Sequence, residues 1–377
     1  MLIYLVEPGD TIDSIANIYG GNVEEISYIN QIPYPYKLAV GQAVLVPGGE
    51  ERENKRTATA SGYAYPFISP WVLQQTLPYL TNLLIFSYGF TTQGDLVPPT
   101  VSEDWMLLEA AEVGVTSVLV LTPFGEDGLF NNQLIHAILR DTEAKNHLIQ
   151  QLQDLTNEKG YGGVDVDFEY ILAEDRDLFT EFVAELRASM NQQGKSVSVA
   201  LAPKTSADQM GLLYEGKDYR GLGEAADEVL LMTYEWGYTY GPAMAVSPLN
   251  KVRQVVEYAL TEIPSEKINL GISNYGYDWT LPYVRGESKA VTIGNIEAVQ
   301  IAIQNDAVIQ FDTTAQSPFF TYTQEGRQHE VWFEDARSMQ AKFELLTEYD
   351  LKGIGVWQIM RLFRPMWFVY ADMYYII

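Results

Sequence analysis

Along residues 62–377, apolar positions alternate between two regimes. Short apolar runs stand at "GYAYPFI", "NLLIFSYGF", "TSVLVLTPF", "GGVDVDFEY", "SVSVALAPK", "EVLLMTYEWG", "INLGISNYGYDW" and "GIGVWQI", eight in all. Longer amphipathic stretches separate them, such as "EDWMLLEAAEVG", "KNHLIQQLQDLTNEKG" and "EDRDLFTEFVAELRASMNQQG". Strand–helix alternation predicts a parallel sheet, and eight such units predict an α/β fold closed as a (β/α)8 TIM barrel. One spacing is irregular. About seventy residues lie between "NYGYDW" and "GIGVWQI", with strand patterns at "VIQFD", "FFTYT" and "HEVWFED". They predict an α+β insertion before the last strand, at about residues 280–348. The apolar terminus "PMWFVYADMYYII" is broken by Asp372 and reads as a docked helix or strand.

Residues 1–48 carry a different pattern. "LIYLV" is a short strand, and "PGDT" a turn whose Asp10 or Thr11 can cap the next helix. Ile12, Ile15, Ala16 and Tyr19 fall on one helical face. "GGN" stops that helix, "VEEISYIN" forms a second, and "AVLVP" closes the module, giving βααβ. Residues 49–61, within "PGGEERENKRTATASG", are charged and then small and polar, and read as a linker to a domain spanning 62–377. So small a module has a marginal core and reads as a binding appendage.

Composition narrows the partners. The 24 basic and 50 acidic residues leave a formal charge of −26, which argues against nucleic acid and anionic membranes. A neutral or zwitterionic polymer such as a polysaccharide is compatible, and 25 Tyr and 7 Trp suit sugar stacking. With no cysteine, thiolate nucleophiles, disulfides and Cys-bound zinc are excluded. Three scattered histidines, His136, His147 and His329, argue against a His-rich metal site, so no metal and no cofactor is expected. "MLIYLVEPGD" does not read as a classical signal peptide, and no run reaches membrane-spanning length.

The chemistry lies in "YGGVDVDFEY". Side chains on a strand alternate faces, so Asp165, Asp167 and Glu169 share one face, with Val164, Val166 and Phe168 on the other. In a barrel the acids point inward and Glu169 lies nearest the C-terminal rim, where barrel active sites sit. Successive acids stand roughly 6 to 7 Å apart. Three ionised carboxylates so confined repel, and sharing protons raises at least one pKa. A glycosidase needs such a protonated acid near neutral pH.

Two resemblances follow. "YLVEPGDTIDSIANIYG", "ISYINQI" and "LAVGQAVLVP" together resemble a LysM module, a binder of N-acetylglucosamine-containing chains such as peptidoglycan and chitin. In that family ligand lies between two loops, which here implies Gly9, Asp10, Thr11 and Ile12 facing Asn30 and Ile32. "GGVDVDFE" resembles the DGxDxDxE signature of family-18 glycoside hydrolases, the chitinase superfamily, with Gly162 where Asp is usual. The resemblance implies Glu169 as general acid/base, Asp167 as the partner of the substrate's 2-acetamido group, and Asp165 as the holder of Asp167. It also implies a retaining, substrate-assisted mechanism.

"LLMTYEWGY" resembles the sixth-strand M-x-Y-D motif, implying catalytic Tyr234 and substrate-facing Met232, with Glu235 in place of Asp. Trp357 of "GIGVWQI" matches the eighth-strand Trp beneath the reacting sugar. Tyr88, Phe90, Trp236, Tyr238, Asn274, Tyr275 and Tyr277 stand near strand ends and are further candidates for the sugar groove.

"MTYEWGYTYGPAMAVSPL", "NYGYDWTLPY" and "HEVWFEDARS" resemble the LysM-bearing family-18 enzymes of spore-forming bacteria, the spore-cortex-lytic or germination N-acetylglucosaminidases. Two LysM modules are common in that branch; this chain has one. What the resemblance implies is a peptidoglycan hydrolase of the spore or cell wall; a monomer is expected. A chitinase, or a carbohydrate-binding protein on an inactive barrel, are the alternatives.

Overall fold

The computed structural model describes residues 1–48, 55–124 and 130–377. The charged part of the expected linker, residues 49–54, lies outside them.

The N-terminal module pairs β1 (Leu2–Leu5) with β2 (Ala43–Val46) antiparallel, around helices Ile12–Tyr19 and Val23–Asn30. Thr11 caps the first helix through a reciprocal bond with Ser14, and Gly20 ends it at φ 73°. Ile12, Ile15, Ile26, Ile32, Val44 and Val46 form its core.

The barrel begins with β3 (Thr57–Ala64), inside the segment read as linker. Its first half carries only Thr, Ala and Ser, so no apolar run announces it. The small side chains admit the terminal helix Arg364–Met373, whose Tyr370 hydroxyl donates to the Thr59 carbonyl at 2.7 Å. After β3 come β4 (Asn82–Phe90), the two-residue β5 (Leu96–Val97), β6 (Thr116–Leu121), β7 (Gly163–Val166), β8 (Ser196–Leu201), β9 (Glu228–Leu231) and β10 (Ile268–Ser273). The insertion supplies β11 (Gly276–Thr280), β12 (Val291–Ile293), β13 (Gln310–Asp312), β14 (Ser317–Gln324) and β15 (Arg327–Trp332). The chain then returns through β16 (Gly353–Trp357) and ends in β17 (Tyr375–Ile376).

Eight parallel strands close on themselves: β3, β4, β6, β7, β8, β9, β10 and β16, with β16 pairing back to β3. Val164, Val166 and Phe168 face outward into the helical layer, where Phe168 stacks on Phe179 and Phe182. The helix Thr142–Lys159 that feeds β7 is capped by Asp141 and stopped by Gly160 at φ 79°. Leu84, Phe86, Val118, Val120 and Leu230 fill the lumen. The insertion sheet runs β12-β11-β15-β14-β13 and starts at Gly276. Helix Ala336–Glu348, expected inside the insertion, packs its Met339, Phe343 and Leu346 into the barrel core instead.

The small module is docked. Its Ile29 and Leu45 join the barrel core, and its Ala39 joins the insertion's core. Gln31 exchanges hydrogen bonds with the Leu362 carbonyl (3.2 Å) and the Arg364 amide (2.7 Å). The Arg364 guanidinium lies 4.0 Å over the Tyr28 ring, and the N-terminal ammonium pairs with Asp372 at 3.0 Å. Burial against the large domain supplies what the module's own core lacks. Among the described residues no helix is long and apolar enough to cross a membrane.

Candidate active site

β7 delivers the acids as alternation requires. Asp165 is fully buried, Asp167 nearly so, and Glu169 partly open to a cleft of about 580 Å³ at the C-terminal end of the barrel. Asp167 continues the ladder beyond the strand proper, its amide donating to the Leu121 carbonyl at 3.0 Å. Tyr170, at φ 56°, then turns the chain away, leaving Glu169 at the rim. Gly162 packs against Thr116: a Cβ there would stand 2.4 Å from Thr116 Cγ2, so the Asp usual in the family-18 signature would have to displace that side chain.

The three carboxyls differ in their partners. Asp165 accepts from Tyr63 (2.9 Å) and Ser198 (2.5 Å). Burial lifts its pKa to about 6, against these two bonds, which favour the anion. Asp167 Oδ1 is buried without a protein partner. Burial, then the negative charges of Glu169 and Asp165, push Asp167 well above the usual carboxylate range. Glu169 is raised as well, by burial and by Glu235, against the opposing charge of Lys217. The cluster therefore retains protons at pH values where isolated carboxylates lose them.

Asp167 and Glu169 share the cleft with Met232, Tyr234, Glu235 and Trp357. The Trp357 ring meets Phe86 (5.0 Å), Tyr63 (5.7 Å) and Tyr65 (6.1 Å), and Phe124 packs on Phe86 (5.9 Å). The result is an aromatic wall opposite an acidic edge, suited to a ring with an apolar face and polar substituents. A shallower groove lined by Phe67, Val97, Pro98 and Pro99 adjoins it, sharing Tyr65, Phe86 and Phe124.

Other expected residues lie elsewhere. Tyr88 is buried outside the lumen and donates to Glu103 at 2.6 Å. The register of β4 against β6 shifts between Phe86 and Tyr88, so the alternation slips: Phe86 faces the cleft while Tyr88 and Phe90 turn into the helical layer. Asn274 is a buried strut donating to the Gln358 (3.0 Å) and Arg361 (2.9 Å) carbonyls. Tyr275 and Tyr277 act through Glu235, both hydroxyls donating to it. Trp236 packs against the main core outside the cleft lining, and Tyr238 is exposed.

In the module, Gly9 and Thr11 are exposed and Asp10 accepts from the Tyr4 hydroxyl at 2.7 Å. Ile12 and Ile32 are core. The Asn30 side chain is consumed by the backbone of Leu45, in both directions at 2.7 Å, and by the Ile26 carbonyl at 2.8 Å. These three hold the loops together from within, because their apolar or amide groups are already partnered.

Sequence reasoning missed Tyr63, Tyr65, Phe86 and Lys217. For the first three a signal was present: Tyr63 on β3 and Tyr65 just past its end share parity, and Phe86 shares it with Leu84. Among the described residues one His–acid cluster could hold a metal ion, His136 with Glu174 and Asp175. Arg140 already meets Asp175 at 2.9 Å, and none of the cluster lines the cleft.

Comparison with known proteins agrees with this geometry. A model described as "Glycosyl hydrolases family 18" matches residues 118–361, and one for the LysM domain matches residues 4–47. The cortical fragment-lytic enzyme of Bacillus subtilis (strain 168) is 38% identical, across 100% of this chain and 99% of that protein. The crystal structure of the Bacillus megaterium QM B1551 spore cortex-lytic enzyme SleL superimposes with a TM-score of 0.94 at 33% identity, covering 100% of this chain and 98% of that one. The Bacillus cereus SleL structure gives 0.83 at 34% identity, covering 100% and 87%. A closed barrel, a run of inward acids on its fourth strand and relatives that align end to end lead to one conclusion: the chain belongs to the family-18 glycosyl hydrolases and carries a LysM domain at its N-terminus.

Proposed function

We propose that the chain is a peptidoglycan N-acetylglucosaminidase that cleaves the β-1,4 bond following N-acetylglucosamine, in spore-cortex or cell-wall degradation. The observation that carries this is Asp167 Oδ1, a buried acceptor without a protein partner, beside a proton-retaining acid cluster and an aromatic wall. An acceptor left open inside a site fits a ligand N–H, and the N–H of a 2-acetamido group supplies it.

The steps follow from the groups at hand. Glu169, kept protonated, donates to the glycosidic oxygen. The acetamido carbonyl oxygen of the same sugar attacks C1 and forms an oxazolinium ion, as in substrate-assisted glycosidases. Asp167 accepts from the acetamido N–H and, once anionic, offsets the positive charge, while the Tyr234 hydroxyl donates to the acetamido oxygen. Asp165, whose two oxygens accept from Tyr63 and Ser198, is the neighbouring acid that takes up the Asp167 proton as Asp167 turns anionic. Glu169, now a base, activates water, and the product keeps its configuration. Trp357 forms the floor under the sugar. The LysM edge at Gly9, Asp10 and Thr11 attaches the enzyme to the polymer, raising local substrate concentration.

The test is mass spectrometry of digested cortex and vegetative peptidoglycan after borohydride reduction. Cleavage after N-acetylglucosamine converts the new end to reduced glucosamine, and Glu169→Gln abolishes it. Reduced muramic acid at the new ends, or digestion of chitin oligomers in preference to glycan strands, would replace the proposal.

A further inference from the structure

Lys217 stands behind the acid cluster and has no part in the steps above. It is 1% exposed. Its ammonium donates to the Ala200 carbonyl at 2.7 Å and lies 5.3 Å over the Phe179 ring. Ala200 lines the cleft, and in the register that pairs Val166 with Val199 it is the next residue beside Asp167. The neighbouring Gly216 sits hard on the chain just beyond Glu169, where a Cβ would come 2.4 Å from the Ile171 carbonyl oxygen. Lys204, also buried, braces the same loop by donating to the Lys217 carbonyl at 3.0 Å. Among the described residues Lys217 forms no close ion pair. A buried ammonium so placed is costly unless nearby anions balance it.

The charged and titratable groups bearing on this region are Asp165, Asp167, Glu169 and Tyr170 on and just past β7, Tyr63 on β3, Glu228 on β9, and Tyr234 and Glu235 past it. Lys204 and Tyr219 meet the loop from its other side, and Asp218 beside it pairs with Arg176. Of these, the three acids stabilise the ammonium, while burial lowers its pKa to about 8.

We propose that Lys217 is a positioning residue that sets the charge of the active site: its ammonium balances the single negative charge shared by Asp165 and Asp167, and so fixes how many protons Asp165, Asp167 and Glu169 hold together. The proposal rests on the assignment of Glu169 as the acid. With Lys217 charged, a proton shared by Asp165 and Asp167, and Glu169 protonated, these four groups are neutral at rest. Without the cation the cluster takes up a further proton, Asp167 is neutralised, and the acetamido group loses its anionic partner.

The sign is testable. A nearby cation lowers carboxyl pKa values, so its removal raises them. In Lys217→Met both limbs of the kcat/KM profile move to higher pH, by about one unit, and kcat falls about tenfold at the wild-type optimum. Lys217→Arg returns both limbs toward wild type. Unmoved limbs in a folded Lys217→Met protein, or an arginine variant that titrates like the methionine one, would overturn the proposal.

If Lys217→Met fails to fold, lysine side-chain NMR decides, on wild type and Glu169→Gln. Linkage is reciprocal: as pH rises Glu169 ionises and steadies the ammonium, and in Glu169→Gln, which cannot ionise, Lys217 loses its proton at lower pH. An identical titration in both proteins would contradict the coupling. Full turnover by Glu169→Gln would instead remove the catalytic assignment, an outcome the NMR titration does not depend on.

Discussion

β4 and β7 flank β6 in the same barrel, yet they furnish opposite sides of the cleft by opposite means. β7 keeps its alternation past the end of its ladder, so Asp165, Asp167 and Glu169 all face inward. β4 loses its alternation at Ser87, so its last inward side chain is Phe86, and Tyr88 is spent on Glu103. One strand contributes charge without packing, and the other contributes packing without charge. Ionisable groups are placed here by strict periodicity, whereas on β4 a local irregularity ends the inward row at Phe86 and turns Tyr88 away from the wall.

The largest expected effect lies on the β7 side. Asp167→Asn removes the anionic partner proposed for the acetamido group, and kcat should drop by roughly 10²–10³-fold, as for loss of a preorganised electrostatic contact. The same change should raise the thermal midpoint at pH 7. Burial lifts the Asp167 pKa above its unfolded value, so the native state holds a proton that the unfolded chain releases. The stability lost as pH rises from about 4 toward the native pKa is regained when Asn replaces the acid. Calorimetry at pH 4 and pH 7 would read it. A midpoint that falls at pH 7 would place Asp167 among the residues that hold the fold.

A smaller contrast probes β4. Phe86→Ala opens the wall beside Trp357 and should raise KM about tenfold, one side of the sugar losing its packing. Tyr88→Phe deletes one buried hydrogen bond to Glu103 and should cost about 1 kcal/mol of stability with kcat and KM unchanged. Steady-state kinetics on both variants breaks the comparison if Tyr88→Phe alters KM or Phe86→Ala leaves it alone.

The same contrast explains how much was legible beforehand. Period-2 patterning on β7, with Phe168 and the two valines turned to the helices, was readable because nothing interrupts it. The slip at Ser87 leaves no mark in composition, so Tyr88 and Phe90 read as groove candidates although they face the helical layer. β3 escaped notice until Gly62, since Thr, Ala and Ser carry no hydrophobic signal. Asn274 and Asn30 look like ligand-binding amides in sequence, yet both saturate backbone groups, which only tertiary contacts reveal. Lys217 lies 48 residues beyond Glu169, and nothing local links it to the acids. The LysM module read as an appendage, but its Ile29 and Leu45 are shared with the barrel core.

The central claim is that Asp167, Glu169, Tyr234 and Trp357 converge on one 2-acetamido sugar. A crystal structure of Glu169→Gln with an N-acetylglucosamine oligomer tests it most directly. The acetamido N–H is expected within hydrogen-bond distance of Asp167 Oδ1, its oxygen on the Tyr234 hydroxyl, and the pyranose face on Trp357. A sugar bound with its acetamido group turned away from Asp167, or seated outside this cleft, would contradict it.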